Sequence, residues 1–143
     1  MGVNEPVMRQ TTVTATWTGP ELQYVGTDSK GNAVPMGGDN PSPAQLLLIG
    51  LAGCMGMDVA HVLRKKRLQF EAINVTIVGH QPDDYPRPFQ TIEIIFQISG
   101  ADLSPEAVAR AIALSKDKYC VVGQSLQNPV TLETSFEIVQ LAA

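Results

Sequence analysis

The residues of this 143-residue chain best suited to covalent chemistry are its two cysteines, Cys54 and Cys120. A thiolate attacks peroxides and disulfides, becomes a sulfenic acid, and closes a disulfide with a second thiol. Cys54 stands inside Leu46–Met57, a run with no charged or strongly polar side chain. Read alone, a cysteine in such a setting is usually a small hydrophobe. To react it needs a positive neighbour, because burial without a cation holds the proton on sulfur. Its own helix supplies none. About 18 Å of helix separates Cys54 from the helix start, and the dipole acts only over the end turns.

Nearby titratable residues do not help. His61 lies on the same helical face but about 10 Å further along the axis. Asp58, one turn away, opposes a thiolate when ionised and is expected to bond a Lys or Arg elsewhere. Cys54, Cys120, His61 and His80 show no C-x-x-C or H-x-x-x-H spacing, so no metal site is expected. Neither a Ser/His/Asp signature nor a phosphate-binding loop is present, and no bound cofactor is implied. The two cysteines are 66 residues apart. If the fold joins them they form a peroxidatic and resolving couple, which spacing alone leaves open.

The stretch that must position Cys54 is Ser42–Arg67, SPAQLLLIGLAGCMGMDVAHVLRKKR. Ser42 caps, Pro43 fits the first turn, and Gln45 completes an S-x-x-Q capping box. Arg64, Lys65, Lys66 and Arg67 suit the negative end of the helix dipole. Apolar on every side, this helix is expected to be buried on every side. Its uncharged run is well short of the roughly 20 residues that span a bilayer, so a core helix is expected, not a membrane segment. Gly50, Gly53 and Gly56 recur every third residue, at about 1 kcal/mol each relative to alanine, which suggests a groove for another helix or a partner subunit.

Around this helix, Thr11–Trp17 reads as a strand closed by the Gly19-Pro20 turn signal, with Leu22–Val25 pairing back and a short strand at Ala33–Met36. Ile73, Val75 and Ile77 alternate with Asn74, Thr76 and Val78, and Ile92, Ile94, Phe96 and Ile98 with Thr91, Glu93, Ile95 and Gln97, which reads as an antiparallel pair with one mostly apolar face. Ser104-Pro105-Glu106 starts a helix reaching about Tyr119, with Cys120 just past it and a short helix over Val121–Gln127. Val130, Leu132, Phe136 and Ile138 read as a last strand. Strands gathered around two helices without regular βαβ alternation predict an α+β fold in one domain, 1–143. The net charge of −4 disfavours a nucleic-acid or anionic-membrane surface. The N-terminus shows no basic segment before a long apolar run, so the cytoplasm is the expected compartment.

The S-P-x-x-L…G-C motif on a long apolar helix, the strand pair after it, the S-P-E-A-V-A-R-A helix and the K-Y-C before a final strand together resemble the OsmC/Ohr family, in its YhfA-type branch. These are the osmotically inducible and organic hydroperoxide resistance proteins. The resemblance runs from about Trp17 to Val139. It implies antiparallel sheets packed around a long central helix, in an intertwined homodimer with sites at the subunit interface. It also implies thiol-dependent reduction of organic hydroperoxides, with Cys54 peroxidatic, Cys120 resolving and an external dithiol as reductant. Members of the organic-hydroperoxide type carry a glutamate where this chain has Ala44, followed by Gln45. They also carry an arginine in the N-terminal hairpin region, whereas Thr11–Gln45 contains none. Lys30, Arg87 and Gln45 are left as candidates to support the thiolate. The alternative is a non-enzymatic dimer of the same fold that binds a small hydrophobic ligand or senses redox state.

Overall fold

The computed structural model describes residues 6–19 and 21–141. Pro20, half of the Gly19-Pro20 turn signal, lies outside them. The chain divides between Ile49 and Gly50 into two compact units.

The first unit carries three short strands in antiparallel order, β1 (Thr14–Trp17), β2 (Tyr24–Thr27) and β3 (Ala33–Met36). Asp28 builds the β2–β3 turn by accepting from the backbone N–H groups of Lys30 and Asn32. Its carboxyl is held below the ordinary carboxylate range by the Asn32 side chain first and by these backbone donors. Gly37 takes a positive φ at the exit of β3, where an added Cβ would meet the Leu22 carbonyl oxygen at 2.6 Å.

Helix α1 (Pro43–Lys65) starts as its sequence signals predict. The Gln45 backbone N–H donates to Ser42 Oγ at 3.2 Å. It stops where Arg67 turns left-handed, with the Leu68 N–H reaching back to the Leu63 carbonyl at 3.0 Å.

The second unit adds β4 (Ala72–His80) and β5 (Thr91–Ser99), a nine-residue antiparallel pair in the register Ile73↔Ile98, Val75↔Phe96 and Ile77↔Ile94. Strict alternation puts all of these on one face, which packs on α1. Helix α2 (Pro105–Leu114) is capped by Ser104, then widens into a π-helical turn over Ser115–Tyr119, and α3 (Val121–Gln127) follows Cys120. The core runs along the α1 stripe Leu51, Met55, Val59 and Leu63, closed by Ala111 and Cys120.

Two expectations are corrected. Helix α1 is not buried on every side within the chain: its buried residues recur every fourth position, while Leu47, Ile49 and Met57 are exposed. Within the second unit, the two-stranded sheet and two short helices pack on the stripe Leu51, Met55, Val59 and Leu63. By length and composition the whole of α1 is long and apolar enough to cross a membrane. It is nonetheless packed along one face like a core helix, and its central Asp58, hydrogen-bonded to Ser115, would be costly in hydrocarbon, about 3 kcal/mol. The second correction concerns residues 129–141. They form no strand, because a strand needs a ladder partner and none pairs with them among the described residues. Val130, Leu132, Phe136 and Ile138 are all exposed.

Candidate active site

The phase of α2 and the turn after it sets the site. Ala111 and Ser115 are fully buried four residues apart, as one helical face requires. A regular helix would next bury Tyr119. The π-helical turn adds one residue, sealed by the Cys120 N–H bond to the Ser115 carbonyl at 2.9 Å. Cys120 is thereby buried in line with Ser115, and Tyr119 is turned outward. The Gly123 N–H then donates to Cys120 Sγ at 3.2 Å, so this sulfur caps α3. A Cβ on Gly123 would lie 3.4 Å from that sulfur.

Opposite it, α1 presents Cys54 and, one turn later, Asp58. The two sulfurs and a carboxylate oxygen of Asp58 all lie within 4.8 Å of one another. The fold has thus joined two cysteines that the sequence keeps far apart, and both are free thiols. Their exposure differs: Cys54 is half-buried and Cys120 has no exposed surface. Leu51, Met55, Ile77, Ile92, Ile94 and Phe96 make the surroundings apolar.

Among the described residues Asp58 bonds neither Lys nor Arg, contrary to the expectation from sequence. Its Oδ2 accepts from the buried Ser115 hydroxyl at 2.8 Å. The i, i+4 spacing from Cys54 was a visible signal of shared helical face; the buried hydroxyl 57 residues later was not. Asp58 also lines a cleft of about 560 Å³ with His61, Val62, Lys65, Lys66, Leu114 and Tyr119, which brings solvent to the edge of the cysteine pair.

Burial is the main reason that the Cys120 thiol is pushed up to about 11, with contact to Cys54 adding to it and the Gly123 N–H opposing it. The charges of Cys54 and Asp58 raise it further, and both are negative when ionised. The folded thiol therefore keeps its proton where the unfolded one, near 9.0, has lost it. Stability contributed by the protonated thiol is complete below pH 9 and is lost as pH rises towards about 11, on the order of 2 kcal/mol. Urea unfolding of the reduced protein at pH 8 and pH 10.5 measures this, and Cys120→Ala should flatten the difference.

Gln45 is exposed and stands about 13 Å of helix rise from Cys54. Lys30 is exposed in the β2–β3 turn of the first unit. Arg87 is engaged within its own loop, where Nε donates to the Pro82 carbonyl at 3.1 Å and the guanidinium covers the Tyr85 ring at 5.4 Å.

The family model of OsmC-like proteins matches residues 36–135, which takes in α1, both long strands and the Cys120 turn. The chain belongs to the OsmC-like family. This OsmC-like protein is 34% identical over 122 residues to Protein YhfA of Escherichia coli K12, covering 82% of this chain and 91% of YhfA. Its fold is shared by a hypothetical protein from Aquifex aeolicus, at TM-score 0.77 and 28% identity over 84% of this chain and 89% of that one. An organic hydroperoxide resistance protein OsmC from Legionella pneumophila also shares it, at TM-score 0.59 and 14% identity over 85% of this chain and 92% of that one.

Proposed function

We propose that this protein is a thiol-dependent peroxidase for organic hydroperoxides, working in the cytoplasm as a homodimer. The observation that carries the reading is the pairing of an accessible sulfur with a buried one inside an apolar shell. In the first step the Cys54 thiolate attacks the outer peroxide oxygen, the O–O bond breaks, and Cys54 becomes a sulfenic acid as the alkoxide leaves and is protonated to the alcohol. In the second, Cys120 attacks that sulfenic sulfur, forming the disulfide. Asp58, anchored by Ser115, takes the Cys120 proton and passes it to the departing hydroxyl, which leaves as water. An external dithiol then reduces the disulfide and is itself oxidised. The apolar shell favours an organic hydroperoxide over hydrogen peroxide.

The dimer is supported by what the single chain leaves open. The uncovered side of α1 and the exposed alternation of residues 130–138 are apolar surfaces that a second copy can cover. Lys30 and Arg87 are cations that a second copy could bring to a thiolate at the subunit interface.

The test is to add cumene hydroperoxide to the reduced protein and count thiols. Both thiols per chain should disappear within seconds at a stoichiometric dose, and hydrogen peroxide should act more slowly. The negative surroundings of the pair favour a second reading, a slow redox sensor or a binder of small hydrophobic ligands in the cleft beside Asp58. Thiols surviving minutes of excess cumene hydroperoxide would select it.

A further inference from the structure

Cys54, Asp58 and Cys120 bring two sulfurs and a carboxylate oxygen within 4.8 Å of one another. We propose that in the reduced protein these three side chains bind a thiophilic divalent cation, zinc(II) being the type, with water in the fourth position.

The donor set selects the ion, since thiolates exclude magnesium and calcium and suit zinc. With Zn–S near 2.3 Å and Zn–O near 2.1 Å, a tetrahedral site needs its donors about 3.5–3.8 Å apart. The side chains therefore close by about 1 Å at most, which small rotations on α1 and at the α3 cap provide. Two ligands stand one turn apart on a long helix, which fixes their mutual geometry. Cys120 is fixed by its bond to the Gly123 N–H.

The carboxylate is oriented as well. Ser115, with no exposed surface, donates to Oδ2 and leaves Oδ1 to turn to the ion, as outer hydrogen bonds commonly do for metal-bound carboxylates. Charge points the same way, because two thiolates and a carboxylate are anionic ligands and a divalent cation is their complement. Cys54 is half-buried, so an ion can enter.

Binding exchanges two thiol protons for one cation and involves no change of oxidation state. It also excludes disulfide formation, since both sulfurs are occupied. Metal occupancy thus holds the thiols in reserve and protects them from oxidation.

Anaerobic titration of the reduced protein with cobalt(II), a spectroscopic stand-in for zinc(II), tests this. One equivalent per chain should produce a thiolate-to-cobalt charge-transfer band and the intense ligand-field bands of a tetrahedral site, release two protons, and be displaced by zinc(II). Asp58→Asn should keep both sulfurs but weaken binding at least about tenfold. Cys120→Ser should lose half or more of the charge-transfer intensity. Wild-type protein oxidised to the disulfide should show no such band, a control independent of whether any variant folds.

Absence of the band in the reduced wild type, or a spectrum of nitrogen and oxygen ligands from His61 or His80, overturns the site. Unchanged affinity in Asp58→Asn overturns the three-ligand assignment. The titration uses no peroxide, so its failure is distinct from failure of the peroxidase reading: thiol loss to cumene hydroperoxide without a cobalt band removes only the metal site, and the reverse removes only the peroxidase.

Discussion

Cys54→Ser should end hydroperoxide consumption at its first step, while Cys120→Ser should consume one equivalent per chain and stop. The asymmetry follows from burial. Cys54 is reachable and Cys120 has no exposed surface, so a hydroperoxide meets the first sulfur and not the second. A serine hydroxyl stays protonated near neutral pH and forms no sulfenic acid, and the rate should fall at least about 1000-fold, to the buffer background. In Cys120→Ser the sulfenic acid on Cys54 has no thiol beside it. It should persist long enough for a dimedone-type reagent to trap it, or be over-oxidised by excess peroxide. Mass spectrometry after one equivalent of cumene hydroperoxide reads both results. A dimedone adduct on Cys120 in the native protein, or native-like turnover by Cys54→Ser, would reverse the roles.

A chain ending at Asn128 should lose its partner. Residues 130–138 place Val130, Leu132, Phe136 and Ile138 on one edge and Thr131, Glu133, Ser135 and Glu137 on the other. This is the pattern of a half-buried strand, yet all four apolar side chains are exposed in the single chain. Covering each of them contributes about 1.5–3 kcal/mol before the cost of ordering the segment. A net loss of about 4 kcal/mol weakens dimerisation about 1000-fold. Sedimentation or light scattering at micromolar concentration should show the truncated chain as a monomer and the native chain as a dimer. Gly53→Leu gives a second readout on α1. An added Cβ there meets no atom of another element within 4 Å among the described residues, so the substitution is expected to weaken chiefly an assembly that packs on the glycine stripe. A native chain that is monomeric at these concentrations, or a truncated chain that stays dimeric, would remove the homodimer.

Local structure was legible because it rests on local rules. Ser42, Pro43, Ser104 and Pro105 start helices where capping and the first-turn preference of proline say they should. The alternation from Ile73 and from Ile92 gives the strand pair its buried face, since period two needs only a neighbouring strand. Residues 129–141 were misread for the complementary reason: alternation records what a segment is built to pair with, but not whether that partner lies in the same chain.

The sequence by itself determined an α+β chain with a thiol in its most apolar helix and a second thiol at a helix boundary. It could not determine that they meet, because nothing local spans 66 residues. That was decided by one extra residue in the turn after α2, which replaces Tyr119 with Cys120 on the buried face. The same turn keeps Ser115 inward against Asp58, and so converts an acid that the helix alone would leave to a surface cation into a hydrogen-bonded neighbour of both sulfurs. Packing decided it, since a hydroxyl buried as deeply as that of Ser115 must find an acceptor, and the carboxylate of Asp58 is the one beside it.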